Sequence, residues 1–116
     1  MDVLKAFVAA ALAAAGIAAA PFPAAAQTGA KPSFDCAKAR TFVERTICAD
    51  AGLAAKDVKL NELYRTRFNG AKGYGMPEQA EGLKQSQRAW LAQRNRCTTA
   101  ECVHASYDER LRQLSF

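Results

Sequence analysis

The sequence predicts an all-α fold: a small disulfide-stapled bundle of three longer helices plus one short N-terminal helix. Three observations predict it. Beyond residue 40, apolar residues recur three and four apart without strict alternation, which favours helices over strands. Helix-start signals precede the apolar stripes, at Thr41, Asp50, Pro77 and Thr98. Four cysteines fall into two spaced pairs, which suits a domain too short to bury a large core.

The first 26 residues are set apart from this domain. Lys5 supplies a positive start, and an apolar run follows from Ala6 to Ala20. Pro21 and Pro23 break the run, and Ala24-Ala25-Ala26 offers the small residues that signal peptidase accepts. A membrane-spanning helix needs about 20 apolar residues, and this run is shorter. No Cys stands close behind the run for lipid attachment, so no membrane anchor is expected after cleavage. We read residues 1–26 as a cleaved signal peptide, 27–33 as a flexible leader and 34–116 as one helical domain. The expected location is periplasmic or secreted.

The full chain carries 16 Lys+Arg and 11 Asp+Glu, a net charge of +5. Removing the signal takes one charge of each sign, Asp2 and Lys5, and leaves the balance unchanged. A basic exported domain suits anionic envelope polymers or an acidic partner protein. Nucleic acid is not expected, because the Arg residues are scattered and no groove-reading motif is present.

Each helix has its own local logic. Thr41 and Glu44 fit a capping box for a short helix over about residues 42–49, with Phe42, Val43, Ile47 and Cys48 on one side. Asp50 suits the N-cap of a helix from about Gly52 to Phe68, with Leu53, Leu60, Leu63, Tyr64 and Phe68 at helical spacing. Residues 69–76 contain three Gly in eight and read as a loop. Pro77 opens the third helix, which runs to about Arg96 with Trp90 as its core anchor. Thr98 and Glu101 fit a second capping box, and Val103, Tyr107, Leu111 and Leu114 form the last apolar stripe.

The cysteines favour two local pairs, Cys36–Cys48 and Cys97–Cys102. With Thr98 as N-cap, Cys97 and Cys102 take the two positions whose side chains normally touch in a hydrophobic staple. On one straight helix Cys36 and Cys48 would stand about 18 Å apart, far beyond the reach of a disulfide. The break implied at Thr41 removes that obstacle. The two crossed pairings remain open on spacing alone. A zinc site of four cysteines, or of three with His104, fits poorly, because only one pair approaches knuckle spacing.

No catalytic constellation is visible, and no cofactor or metal is expected. His104 is the only histidine and reads as an ordinary helical residue. Ser86 and Ser106 lie within helices, outside any nucleophile elbow. Glu44 and Glu101 are accounted for as caps. Asp57 is expected to pair locally with Lys or Arg. The Gly-rich stretch lacks the G-K-[ST] ending of a phosphate loop.

The ordered pattern Phe34-Asp-Cys36, Glu44-x-x-Ile47-Cys48, Leu53-x-x-x-Asp57, Leu63-Tyr64, Gln87-x-x-Trp90-Leu91-x-x-Arg94-x-x-Cys97, Cys102 and Tyr107-x-x-Arg110-x-x-x-Leu114 resembles the N-terminal domain of the LprI-like lysozyme inhibitor family. The resemblance covers nearly all of the chain after the signal. It implies a small exported bacterial helical protein, not an enzyme, with lysozyme as the expected partner. The lipoprotein from which the family takes its name has a lipid-anchor Cys and a second domain, which are not expected here. Helical periodicity accounts for many of the pattern residues as core, and Arg94 and Arg110 could pair with Asp57 or Glu62.

Two functions are therefore expected to compete. One is lysozyme binding through an interaction loop at residues 69–76, where Lys72 and Tyr74 supply a cation and an aromatic. The other is a non-enzymatic envelope module that binds an anionic cell-envelope polymer or a periplasmic protein.

Overall fold

A computed structural model of the chain describes residues 31–115. The expected signal peptide, leader residues 27–30 and Phe116 lie outside the described residues.

A single 3₁₀ turn at Cys36–Lys38 leads into four α-helices. They are α1 (Phe42–Ala49), α2 (Ala51–Gly73), α3 (Pro77–Arg94) and α4 (Ala100–Leu114). Their starts follow from side-chain chemistry. Thr41 Oγ1 accepts from Glu44 N while Glu44 Oε1 accepts from Thr41 N, a complete capping box. Asp50 closes α1 and opens α2, its Oδ1 accepting from Leu53 N at 3.1 Å. Pro77 occupies the first turn of α3, where a missing N–H costs nothing.

Helix α2 is the spine, packing against each of the other three. The core gathers Val43 and Ile47 from α1, Leu53 and Leu60 from α2, Trp90 from α3, and Val103, Tyr107 and Leu114 from α4. Trp90 and Tyr107 meet edge to face with centroids 5.0 Å apart, and Trp90 Nε1 donates to the Ser106 carbonyl. Phe42, expected on the apolar side of α1, is instead 45 % exposed. Among the described residues no helix is long and apolar enough to cross a membrane.

Both favoured disulfides form. Cys36–Cys48 joins the 3₁₀ turn to the end of α1 with Cα atoms 5.9 Å apart, and Cys97–Cys102 spans 5.5 Å. The cap beside the second differs from expectation. Thr99, not Thr98, accepts from Cys102 N, so α4 starts at Ala100 and Glu101 closes no box. The shift is by one residue, and Cys97 still faces the first turn of α4.

Three boundaries move. Helix α2 continues five residues past Phe68, so most of the expected 69–76 loop is helix. Each Gly in a helix costs about 1 kcal/mol relative to Ala. Ala71, buried on this extension, supplies packing that local propensity does not include. Helix α3 ends at Arg94, two residues early. The leader boundary also shifts: Pro32 is buried, and Ser33 N donates to Asp57 Oδ2 at 2.6 Å, so residues 32–33 are held on the domain.

Candidate functional site

The most densely bonded polar group lies inside the bundle. Asp57 of α2, Arg94 of α3 and Tyr107 of α4 are 6, 7 and 0 % exposed. Tyr107 Oη donates to Asp57 Oδ1 at 2.7 Å and accepts from Arg94 Nη1 at 2.9 Å. Ser33 N satisfies the other Asp57 oxygen, and Asn95 Oδ1 accepts from Arg94 Nε and Nη2. The guanidinium also lies 5.6 Å from the Trp90 ring and 5.9 Å from that of Tyr107. Burial pushes the Tyr107 hydroxyl up, with Arg94 opposing and the Asp57 carboxylate adding to the rise, so it remains a proton donor.

This arrangement corrects two expectations. Among the described residues Asp57 pairs with no Lys or Arg; it reaches Arg94 only through the Tyr107 hydroxyl. Among the described residues Arg110 pairs with no carboxylate. It is buried and bonded to Gln87 Oε1, Gln113 Oε1 and Ser86 Oγ, all neutral. Burial pulls its guanidinium below the usual range.

A cavity of about 270 Å³ opens beside Asp57 and Arg94. Glu44, Asn61 and Gln87 contribute polar lining, and Phe34, Leu91 and Trp90 contribute apolar lining. The lining comes from α1, α2, α3 and the N-terminal segment. Glu44 has its carboxyl held low by the N–H groups of Arg40 and Thr41, so it is an anion there.

A second polar cluster links α2 to α4. His104 Nε2 lies 3.0 Å from Asp50 Oδ2, and its Nδ1 lies 3.0 Å from Lys56 Nζ. Lys56 has only donors, so Nδ1 accepts and Nε2 carries the proton toward Asp50. Lys56 also pairs with Asp108 at 2.8 Å. An Asp–His pair of this kind can support a nucleophile, but Lys56 occupies the nitrogen a nucleophile would need. Among the described residues no group of His, Cys, Asp and Glu is arranged to hold a metal.

The expected interaction stretch is divided by the fold. Lys72 lies in the last turn of α2 with Nζ over the Phe68 ring at 5.6 Å. Tyr74 is the C-cap and is 82 % exposed. Only residues 74–76 are non-helical. Three backbone bonds pin them: Tyr74 N to Gly70 O, Gly75 N to Lys72 O, and Met76 N to Ala71 O. Gly75 has φ +70°, the left-handed conformation that ends helices and favours glycine.

The family model described as lysozyme inhibitor LprI matches residues 35–114. The chain belongs to the LprI family. No curated protein and no solved structure matches it.

The LprI match runs from the N-cap of the 3₁₀ turn to the last core residue of α4, so it includes the buried network and the α2–α3 turn. Sequence reasoning gave Glu44 a cap and Tyr107 a core position and named Arg94 and Asp57 as candidate ion-pair partners, without joining them through one hydroxyl. The usable signal was that all four belong to one ordered LprI-like pattern despite lying up to 63 residues apart (Glu44 to Tyr107).

Proposed function

We propose that this LprI-family chain is an exported, non-enzymatic protein that binds and inhibits lysozyme through the α2–α3 turn. The observation that carries the reading is Tyr74: a large aromatic, 82 % exposed, on a turn pinned by three backbone bonds. A rigid aromatic anchor loses little conformational entropy on binding. Lysozyme works with two carboxylates in a cleft, and Lys72, two residues before Tyr74, supplies a cation to meet them. The family and the two disulfides support a location outside the cytoplasm.

The test is a titration of muramidase activity with the oxidised chain, against several lysozyme types. Stoichiometric loss of activity is expected. Full activity at excess protein with every lysozyme would sink the reading. The net charge of +5 slows encounter with a basic lysozyme, so inhibition of such an enzyme should strengthen with moderate salt.

A second reading rests on that same charge. Lys59, Arg65, Arg88 and Arg96 are exposed and make no ion pair within the described residues, which suits an anionic envelope polymer. Co-sedimentation with cell-wall material that vanishes with added salt would support it; no binding at low salt would dismiss it.

A further inference from the structure

The cavity beside Asp57 presents polar groups that neither the fold nor the α2–α3 turn uses. Glu44 Oε1 is taken by two backbone N–H groups, and Oε2 has no partner among the described residues. Gln87 Oε1 accepts from Arg110, which leaves its amide donors free within the described residues. Asn61 is half-buried, and its side chain makes no hydrogen bond within the described residues. The cavity therefore presents an unused acceptor at Glu44, unused donors at Gln87, and both at Asn61. Phe34, Leu91 and part of Trp90 add apolar lining.

We propose that this cavity is a binding site for one neutral sugar ring. Charge disfavours an anion, which would meet the Glu44 and Asp57 carboxylates, and the Arg94 guanidinium in the wall offsets part of their pull on a cation. A purely apolar ligand would strip water from the polar lining and leave it unpaired. A sugar hydroxyl both donates and accepts, so it matches a carboxylate acceptor beside amide donors. The C–H face of the ring matches the apolar wall. At about 270 Å³ the cavity falls just below the ~300 Å³ at which drug-sized ligands begin to fit, which limits the ligand to about one ring. The site is independent of the turn: Tyr74, the C-cap of α2, is 17 residues from Asp57, about 25 Å along the helix axis.

Trp90 is the only tryptophan and lines the cavity, so its fluorescence reports occupancy. The intact, oxidised chain is titrated with N-acetylglucosamine and, separately, with glucose. A saturable change with at least one sugar is expected. Asn61→Ala should weaken binding about tenfold, the loss expected for one or two hydrogen bonds. Gln87→Glu keeps the acceptor for Arg110 but removes the amide donors, and should weaken binding by a similar factor. Lys59→Ala, at an exposed position outside the lining, should bind as the parent does, and so should Tyr74→Ala. Far-UV circular dichroism checks that each variant is folded. No saturation with either sugar, or unaltered binding by both cavity variants, overturns the proposal.

Discussion

The Tyr107 hydroxyl and the Asp57 carboxylate meet at 2.7 Å across 50 residues of chain. The bond ties the N-terminal third of α2 to the middle of α4, and Arg94 brings α3 to the same oxygen. Three helices thus share one hydroxyl in the interior. A buried polar group is costly unless bonded, and this set leaves no buried side-chain polar atom without a partner among the described residues. The network therefore favours one relative placement of the three helices, because sliding any of them would strand a buried charge.

Tyr107→Phe keeps the ring and removes the shared oxygen. Asp57 keeps Ser33 N, and Arg94 keeps Asn95. We expect a loss of about 1–3 kcal/mol in urea denaturation, with helix content retained. Asp57→Asn combined with Tyr107→Phe should lose less than the sum of the two single changes, since both act on one bond.

The cap of α4 separates two adjacent threonines. Thr99→Ala should cost about 1 kcal/mol, because Cys102 N loses its acceptor. Thr98→Ala should change stability by less than half of that, as Thr98 is exposed and caps nothing. Thermal melts of the two variants side by side decide between the caps.

The two disulfides close loops of different length, with sequence separations of 12 and 5. Loop-closure entropy assigns about 3 kcal/mol to Cys36–Cys48 and about 2 kcal/mol to Cys97–Cys102. Replacing each pair with alanines should reproduce that order in denaturant midpoints. Equal losses would point to native packing, not loop closure, as the main source of their stabilisation.

Acid should destabilise the domain through three carboxyls held low in the fold. The backbone N–H groups of Arg40 and Thr41 hold Glu44 low. Burial alone would raise Asp50, but the Leu53 N–H and His104 outweigh it and the net shift is downward. Lys56 holds Asp108 low. Each group binds fewer protons folded than unfolded near its ordinary pKa of about 4. Their stabilisation is therefore complete well above pH ~4 and is lost as pH falls through the folded values. Glu44→Gln should flatten the acid limb of a Tm-versus-pH curve.

At the turn, stability and binding should separate. Tyr74→Ala removes an exposed ring and should leave the melting temperature unchanged while weakening lysozyme inhibition by about 30-fold or more, the loss of a binding hot spot. Gly75→Ala forces a side chain into φ +70° and should cost about 1 kcal/mol. A Tyr74→Ala chain that inhibits as the parent does would place the contact elsewhere.

Several features were set by residues close together in sequence. The Thr41–Glu44 box, the Asp50 cap, the Pro77 start and the helical stripes through Trp90 and Tyr107 involve partners within one or two turns, so the chain itself determines them. Both disulfides close short loops and are the pairs that spacing favoured, although spacing alone left the crossed pairings open. Tertiary structure decided what depends on distant partners. The burial of Ala71 carries α2 through two glycines, shrinking an expected eight-residue loop to a three-residue turn that presents Tyr74. Tyr107 was legible as a core position, and Arg94 and Asp57 as candidate ion-pair partners. That they share one oxygen, and that Glu44, Asn61 and Gln87 stand around one cavity, depends on how three helices cross. Periodicity assigns each residue to a face of its own helix; only packing determines which faces meet.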